Sequence, residues 1–494
     1  MGGLAAIISK TGRCVAPEAI RMLSALRHRG NELHGITTGK IVTFAKDLLE
    51  LSHLLKDTSS DIIIGYNFRR LLPEDSPQPI EIDNLKVVLE GRIYSPYSGK
   101  SEVYKIIEQH REESVRKVIS EVEGSFIIAI LSGKRLIIGR DSIGATPLYF
   151  SENDHFIALA SERKALWSIG MDNASIKTFP PGNLAEISSE GIAMRQIKVL
   201  EALRPRIIKD EENILMELHN MLSEAIRRRL YGLNGGVSLA FSGGLDSSII
   251  AALLKKAGVN ATLVTVGLEG SKDIEQAEET AKEIGLRVKT ETYTIKDVEE
   301  VLPKVLWLIE EANSLKASIK IPEYWAAEVS SKIDCKVMFF GEGGDELFGG
   351  YYKYLREYEK SLENAEMALF FDVISLYSSL EMSEKICTFH NVEARFPYAD
   401  HDLALFALKI PISMKISSKD DPLRKRILRR YAEQIGLPAD VYLRPKKAIQ
   451  YGTGVSKVLK KIAKRNELNV QAFIDKVFRE KTGLYKCKNN DLPL

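Results

Sequence analysis

The sequence predicts two domains of different class: stacked antiparallel sheets with a few helices over residues 1–200, then an α/β domain with a largely parallel sheet over residues 210–494. Three observations predict this. The chain has 494 residues, too many for one ordinary core. Its first 200 residues are short apolar runs broken by Gly, Pro, Asn and Asp. Beyond about residue 210, apolar strands alternate with long helical stretches. The charged, Pro-interrupted segment around residues 196–212 separates the two patterns.

The elements follow in order. LAAIIS, DIIIGYNF, LKVVLEGRIY, GSFIIAILSG, KRLIIGR and FIALASE are β-strand material. Helices are expected at APEAIRMLSALRHRG and across SEVYKIIEQHREESVRKVISEV (residues 101–122). The second half opens on ENILMELHNMLSEAIRRRLYG, with apolar residues at helical spacing and a basic last turn. VSLAFS, ATLVTVGL and KVMFFGEGG then read as strands separated by helices such as DIEQAEETAKEIG. No repeat or low-complexity segment interrupts this order.

Bulk composition excludes several function classes. Hydrophobic residues make up 45% and charged residues 28%, a globular balance. Sixty-nine basic residues against 67 acidic ones leave a formal charge of +2, so neither nucleic acid nor an anionic membrane is expected as a partner. No apolar run is long enough to span a bilayer, and the N-terminus lacks a signal-peptide layout. Cys14, Cys335, Cys387 and Cys487 are scattered without metal-ligand spacing, which points to a reducing cytoplasm.

The most informative stretch is VSLAFSGGLDSSIIAALLKKAG, residues 237–258. A buried strand ends at Phe241, the pair Gly243 and Gly244 turns the chain, and a helix starts around Ser247. Glycines let backbone N–H groups approach a phosphate, and the helix N-terminus adds donors and a favourable dipole. Ser242, Ser247 and Ser248 supply hydroxyls, and Asp246 is suited to Mg2+. There is no GxxxxGK[ST], so this is not the usual P-loop.

SGGLDSS resembles the signature of ATP-pyrophosphatases, which split ATP into AMP and pyrophosphate while adenylylating a substrate. GEGGDELFGGY (341–351), HNVEARFPYAD (390–400) and RPKKAIQYGTG (444–454) follow in the order of the synthetase half of the asparagine synthetase family. The resemblance implies an ATP-pyrophosphatase domain with a helical C-terminal part. It also implies ATP and Mg2+ as cofactors, with the metal on Asp246 and Asp345 and Lys446 at the leaving pyrophosphate (Lys447 as a substitute). Glu342 matches the glutamate that acts in acyl-adenylate formation and on incoming ammonia. Phe241, Val266, Phe340 and Gly341 match the positions that contact adenosine through their backbone. HNVEARFPYAD is expected to be structural in large part, with Arg395 pairing Glu393.

Residues 1–200 resemble the family's N-terminal-nucleophile glutaminase, an αββα sandwich, through RHRG (27–30), FRRLLPEDSPQPI (68–80), GRIYS (91–95) and GRDSIGATPLYF (139–150). Active members begin Met-Cys-Gly, and the exposed cysteine attacks glutamine. This chain has Gly2. Glu90 stands where an asparagine donates to the oxyanion, and Arg92 and Lys100 stand where acids bind the glutamine ammonium. Only Arg70, matched to the glutamine carboxylate, is kept. The resemblance therefore implies a dead glutaminase beside a synthetase that makes asparagine from aspartate, ATP and free ammonia. Three alternatives stay open: an acyl substrate of the kind used by relatives that close β-lactam or peptide amide rings, a non-catalytic nucleotide-binding paralogue, and a separate glutaminase subunit that delivers ammonia. A homodimer would be usual for the family.

Overall fold

The computed structural model describes residues 2–56, 58–95, 100–201, 210–445 and 452–483. The chain divides into two compact units, Met1–Glu201 and Ala202–Leu494.

The first unit is a four-layer αββα sandwich. Gly2–Ser9 lies inside a seven-stranded antiparallel sheet, paired with Phe156–Ala160 on one side and Ile62–Phe68 on the other. A second antiparallel sheet has six strands, with Glu123–Ser132 between Leu85–Ser95 and Arg135–Arg140. The period-2 alternation of side chains explains the layering. Leu4, Ala6, Ile8, Ile62 and Ile64 face Val88, Ile127, Ala129 and Ile138 of the other sheet. The intervening residues Ala5, Ile7 and Ile63 pack outward under the helix Ala16–Ala25. Leu89, Ile128 and Ile130 do the same under the helices after Lys100. Both faces of each sheet are covered, which is why these strands read as continuous apolar runs rather than alternating ones.

One helix expected from the sequence is two. Residues 101–122 form Lys100–His110 and Ser114–Glu121, joined by a short 3-10 turn with Arg111 at φ 51°. The break at Arg111 lets Val103, Ile106 and Ile107 on one segment and Val115, Val118 and Ile119 on the other share the same apolar layer.

The second unit holds a five-stranded parallel sheet in the spatial order Arg287–Tyr293, Ala261–Leu268, Val237–Ala240, Val337–Phe339, Glu393–Arg395. In chain order this is 3-2-1-4-5. The direction of winding therefore reverses between Val237–Ala240 and Val337–Phe339, and such a switch point opens a crevice at the carboxyl ends of the strands. Helices cover the sheet, and after Gly344 the described chain is helical apart from Glu393–Arg395. No helix among the described residues is long and apolar enough to cross a membrane.

The inter-sheet layer of the first unit should behave as a close-packed core. Ile138→Ala, at a side chain with 0% exposure, is expected to cost about 2–4 kcal/mol, measured as the shift in chemical denaturation of the full chain.

Candidate active site at the switch point

The two strands flanking the switch point each end in a loop that carries acid. The Val237–Ala240 strand leads through Phe241 and Ser242 to Gly243 at φ 66°, a left-handed conformation that costs glycine little. The helix Leu245–Lys256 begins two residues before Ser247, with Gly244 as its cap. Ser242 Oγ accepts from the Gly244 N–H at 3.3 Å, and Ser247 Oγ donates to the Gly244 carbonyl at 3.2 Å, so the hydroxyls shape the turn. Ser248 is fully buried behind it. Asp246, in the first helical turn, is partly exposed.

Across the crevice, Val337–Phe339 leads to Phe340, Gly341 and Glu342, and Asp345 sits in the first turn of Gly344–Phe348. This acidic loop lies directly on the phosphate-type loop. A Cβ on Gly341 would stand 3.2 Å from Asp246 Cβ, and one on Gly344 would stand 2.7 Å from Asp246 Oδ1. Gly341 and Gly344 thus permit this close approach. Phe241 donates its N–H to the Val264 carbonyl at 2.8 Å, and Phe340 donates to the Arg395 carbonyl at 3.0 Å. Both side chains are buried, while Val266 lies half-buried on the neighbouring strand. Arg395 pairs with Glu393 at 2.8 Å.

A residue that sequence reasoning missed joins the two loops. Lys425 is 2% exposed, and its Nζ lies 2.6 Å from Asp246 Oδ2 and 2.5 Å from Asp345 Oδ1. Burial pushes its pKa down, and the Asp246 carboxylate opposes that shift. Lys425 lies in DPLRKRILRRY, which reads as one more solvated basic run. Its φ of 51° just before the helix Arg426–Gln434 is what aims it inward. Arg429, four residues on, donates to the carbonyls of Leu423, Arg424, Tyr442 and Arg444. Arg444 in turn donates to the Gly243 carbonyl at 3.1 Å, which brings the start of RPKK to the phosphate-type loop. Lys446 and Lys447 lie outside the described residues.

Glu342 is held on the far side of the acidic loop. Its carboxylate accepts from Lys320 Nζ at 2.7 Å, from Ser379 Oγ at 2.9 Å and from Ser383 Oγ at 2.8 Å.

In the first unit, the strand Gly2–Ser9 leaves no space for a side chain at residue 2. A Cβ there would collide with the Asn67 carbonyl oxygen and the Tyr66 ring. Arg29 Nε donates to the Gly2 carbonyl at 2.7 Å, and its terminal nitrogens pair with Glu90 and Glu162, each at 3.0 Å. Arg92 pairs with Asp75 at 2.6 Å. Burial pushes the Asp75 carboxyl up, and the Arg92 guanidinium more than offsets this, holding it well below the usual range. Lys100 donates to the Leu89 carbonyl at 2.9 Å, while Arg70 is exposed.

A family model described as Asparagine synthase matches residues 217–383 and 359–478. One described as Glutamine amidotransferase domain matches residues 69–168. The chain is 30% identical to a Methanocaldococcus jannaschii protein whose name proposes glutamine-hydrolyzing asparagine synthetase 1, over 97% of this chain and 99% of that one. The chain belongs to the asparagine synthase family. By that membership it is an ATP-dependent amide ligase. Glutamine-hydrolyzing asparagine synthetase B of Escherichia coli K12 is 25% identical over 90% of this chain and 81% of its own length. Among solved structures, the glutamine phosphoribosylpyrophosphate amidotransferase of B. subtilis with ADP and GMP matches 58% of this chain and 80% of its own at 16% identity, with a TM-score of 0.34.

Lys425 stands between two carboxylates that would otherwise repel. Lys425→Ala is expected to lower stability by about 3 kcal/mol, because it leaves a buried uncompensated charge. Adding Asp246→Asn should recover part of that loss. Chemical denaturation of both variants at neutral pH reads the coupling.

Proposed function

We propose that the chain makes asparagine from aspartate, ATP and free ammonia, releasing AMP and pyrophosphate. The observation that carries this reading is a contrast between the units. Asp246 and Asp345 converge at the switch point, with Glu342 on the same acidic loop as Asp345, while residue 2 of the amidotransferase unit has no room for a nucleophile.

Two carboxylates within reach of one lysine nitrogen, at 2.6 and 2.5 Å, fit a Mg2+ that keeps waters and phosphate oxygens as its remaining ligands. When bound, Mg2+ would offset the phosphate charge as the substrate carboxylate approaches. The backbone N–H groups of residues 242–244 and the N-terminus of Leu245–Lys256 would bind phosphate oxygens. Phe241, Val266, Phe340 and Gly341 would line adenosine, and Ser242, Ser247 and Ser248 would support the loop. Lys425, buried and already facing both aspartates, would hold them close to one another before ATP arrives. Lys446 would accompany the leaving pyrophosphate. An aspartate side-chain oxygen then attacks the α-phosphorus, pyrophosphate departs, and ammonia attacks the acyl carbon to expel AMP. Glu342, fixed by Lys320, Ser379 and Ser383, would take the proton that nitrogen sheds.

The names of the relatives say that those proteins hydrolyse glutamine. For this chain, three features support a glutaminase frame without its chemistry: the filled space at Gly2, the pairing of Glu90 with Arg29, and the pairing of Arg92 with Asp75.

With ATP, Mg2+ and aspartate, ammonium is expected to give asparagine and AMP in equal amounts, and glutamine is expected to give neither. Glutamine-dependent asparagine from pure protein would overturn the dead-glutaminase half. AMP released with another carboxylic acid and no ammonia would replace aspartate by a ring-closing substrate. Gly2→Cys should not restore glutamine hydrolysis, and overpacking should lower stability by about 1–3 kcal/mol, read by glutamate release and thermal unfolding.

A further inference from the structure

Behind Glu342 lies a cluster that neither the family assignment nor the proposed chemistry explains. Lys320 and Glu323 share the helix Ser314–Lys332 and are 2% and 6% exposed. Lys320 Nζ lies 2.7 Å from Glu342 Oε1, 2.9 Å from Glu323 Oε2, 2.6 Å from Ser383 Oγ and 3.2 Å from Ser379 Oγ. Ser383 Oγ also lies 2.8 Å from Glu323 Oε2 and 2.8 Å from Glu342 Oε2. The ammonium has three protons and faces four oxygen-bearing side chains. Ser383 has one proton and stands between two carboxylates, so it donates to one of them at a time.

The charge count is the telling feature. Two carboxylates against one ammonium leave one negative charge in excess in a buried site, and such a group is neutral only with one added proton. Burial pushes the Glu323 carboxyl up to about 7, with Glu342 adding to the rise and Lys320 opposing it. From the other elements, the buried Cys387 thiol on the helix Tyr377–Phe389 faces the two glutamates. Glu346, hydrogen-bonded by Tyr351 at 2.6 Å, acts on the side of Glu342 away from Lys320. Lys385 on that same helix is committed to Glu310 at 2.7 Å.

We propose that Glu342, Ser383 and Glu323 form a proton relay for amide formation, with Glu323 as its terminal acceptor and Lys320 positioning both carboxylates. This rests on the adenylylating reading above. The nitrogen lone pair of ammonia forms the C–N bond to the acyl carbon, and the C–O bond to AMP breaks with its electron pair leaving on AMP. The tetravalent nitrogen loses one proton to Glu342. Ser383 takes that proton as it passes its own to Glu323, which later releases it to water. Lys320 stays an ammonium throughout.

The relay acts on the second step alone, and the test separates the two steps. Acyl-adenylate formation is followed as aspartate-dependent exchange of pyrophosphate into ATP, and amide formation as asparagine produced with ammonium. In the wild type, the amide rate is expected to rise through one ionisation near pH 7. Glu323→Gln removes the excess charge without changing shape, so Lys320 and Glu342 stay paired. It should leave the exchange within about twofold of wild type, lower the amide rate at least tenfold, and abolish the ionisation in its pH profile. Ser383→Ala should lower the amide rate similarly, and Ser383→Thr should restore most of it. A Glu323→Gln variant with the wild-type amide rate and pH profile overturns the relay, as does equal loss of exchange and amide formation, which marks a merely structural role. Absence of exchange with any carboxylic acid sinks the adenylylating reading instead. The proton site itself is then still decided by infrared titration of the full chain: a protonated carboxyl band that disappears near pH 7 and is missing in Glu323→Gln keeps Glu323 as a proton acceptor, and its absence from the wild type overturns that assignment and the relay with it.

Discussion

The ion pairs of Lys425 hold the site together. Asp246 sits after the first strand of the parallel sheet and Asp345 after the fourth, and nothing in either loop alone brings their carboxylates to one point. The topology delivers them to opposite lips of the crevice, and the glycines at 341 and 344 let the loops close to contact. Once close, two partly buried carboxylates repel, and a buried ammonium at 2.6 and 2.5 Å converts that repulsion into attraction. Gly350 belongs to the same constraint, because a Cβ there would collide with both Asp345 and Lys425. The site is thus built around a point of positive charge before any substrate arrives.

That constraint explains which parts of the site were legible in the sequence. SGGLDSS is local: strand, glycine turn and acid follow within a few residues, so its turn was readable from spacing, while GEGGDELFGGY was placed by its resemblance to the family. Lys425 was not legible, because its role depends on a residue 179 positions earlier and its own neighbourhood is uniformly basic. Arg444 shows the same limit, since RPKK read as a lysine motif while its arginine makes the described contact with Gly243. In the fold, buried strands such as LAAIIS were readable from apolar runs. Arg287–Tyr293 was not, because RVKTETY alternates charged and polar residues at a sheet edge, and Glu393–Arg395 is only three residues of mixed polarity. The division of residues 101–122 into two helices was hidden for another reason. The apolar spacing continues through the break, and only the left-handed Arg111 marks it.

The amidotransferase unit obeys the same electrostatic rule with the opposite outcome. At the switch point, paired charges hold open a crevice lined by acid. Around Gly2, paired charges fill the space. Arg29 binds the Gly2 carbonyl together with Glu90 and Glu162, and Ser161 donates to Glu90 at 2.8 Å. Glu90 therefore serves as a counter-ion inside the sandwich. Replacing it would remove one of the carboxylates that compensate the buried Arg29 guanidinium, which keeps Glu162.

Residues 2, 90 and 92 are each held by specific neighbours. Tyr66 occupies the space that a side chain at residue 2 would need, Glu90 neutralises Arg29, and Arg92 neutralises Asp75. A side chain at residue 2 would meet a steric clash, and replacing Glu90 or Arg92 would remove one partner of Arg29 or of Asp75. Couplings of this kind are non-additive between contacting residues. On the ammonia-dependent reading proposed above, glutamine chemistry at this unit would require several neighbouring residues to change together.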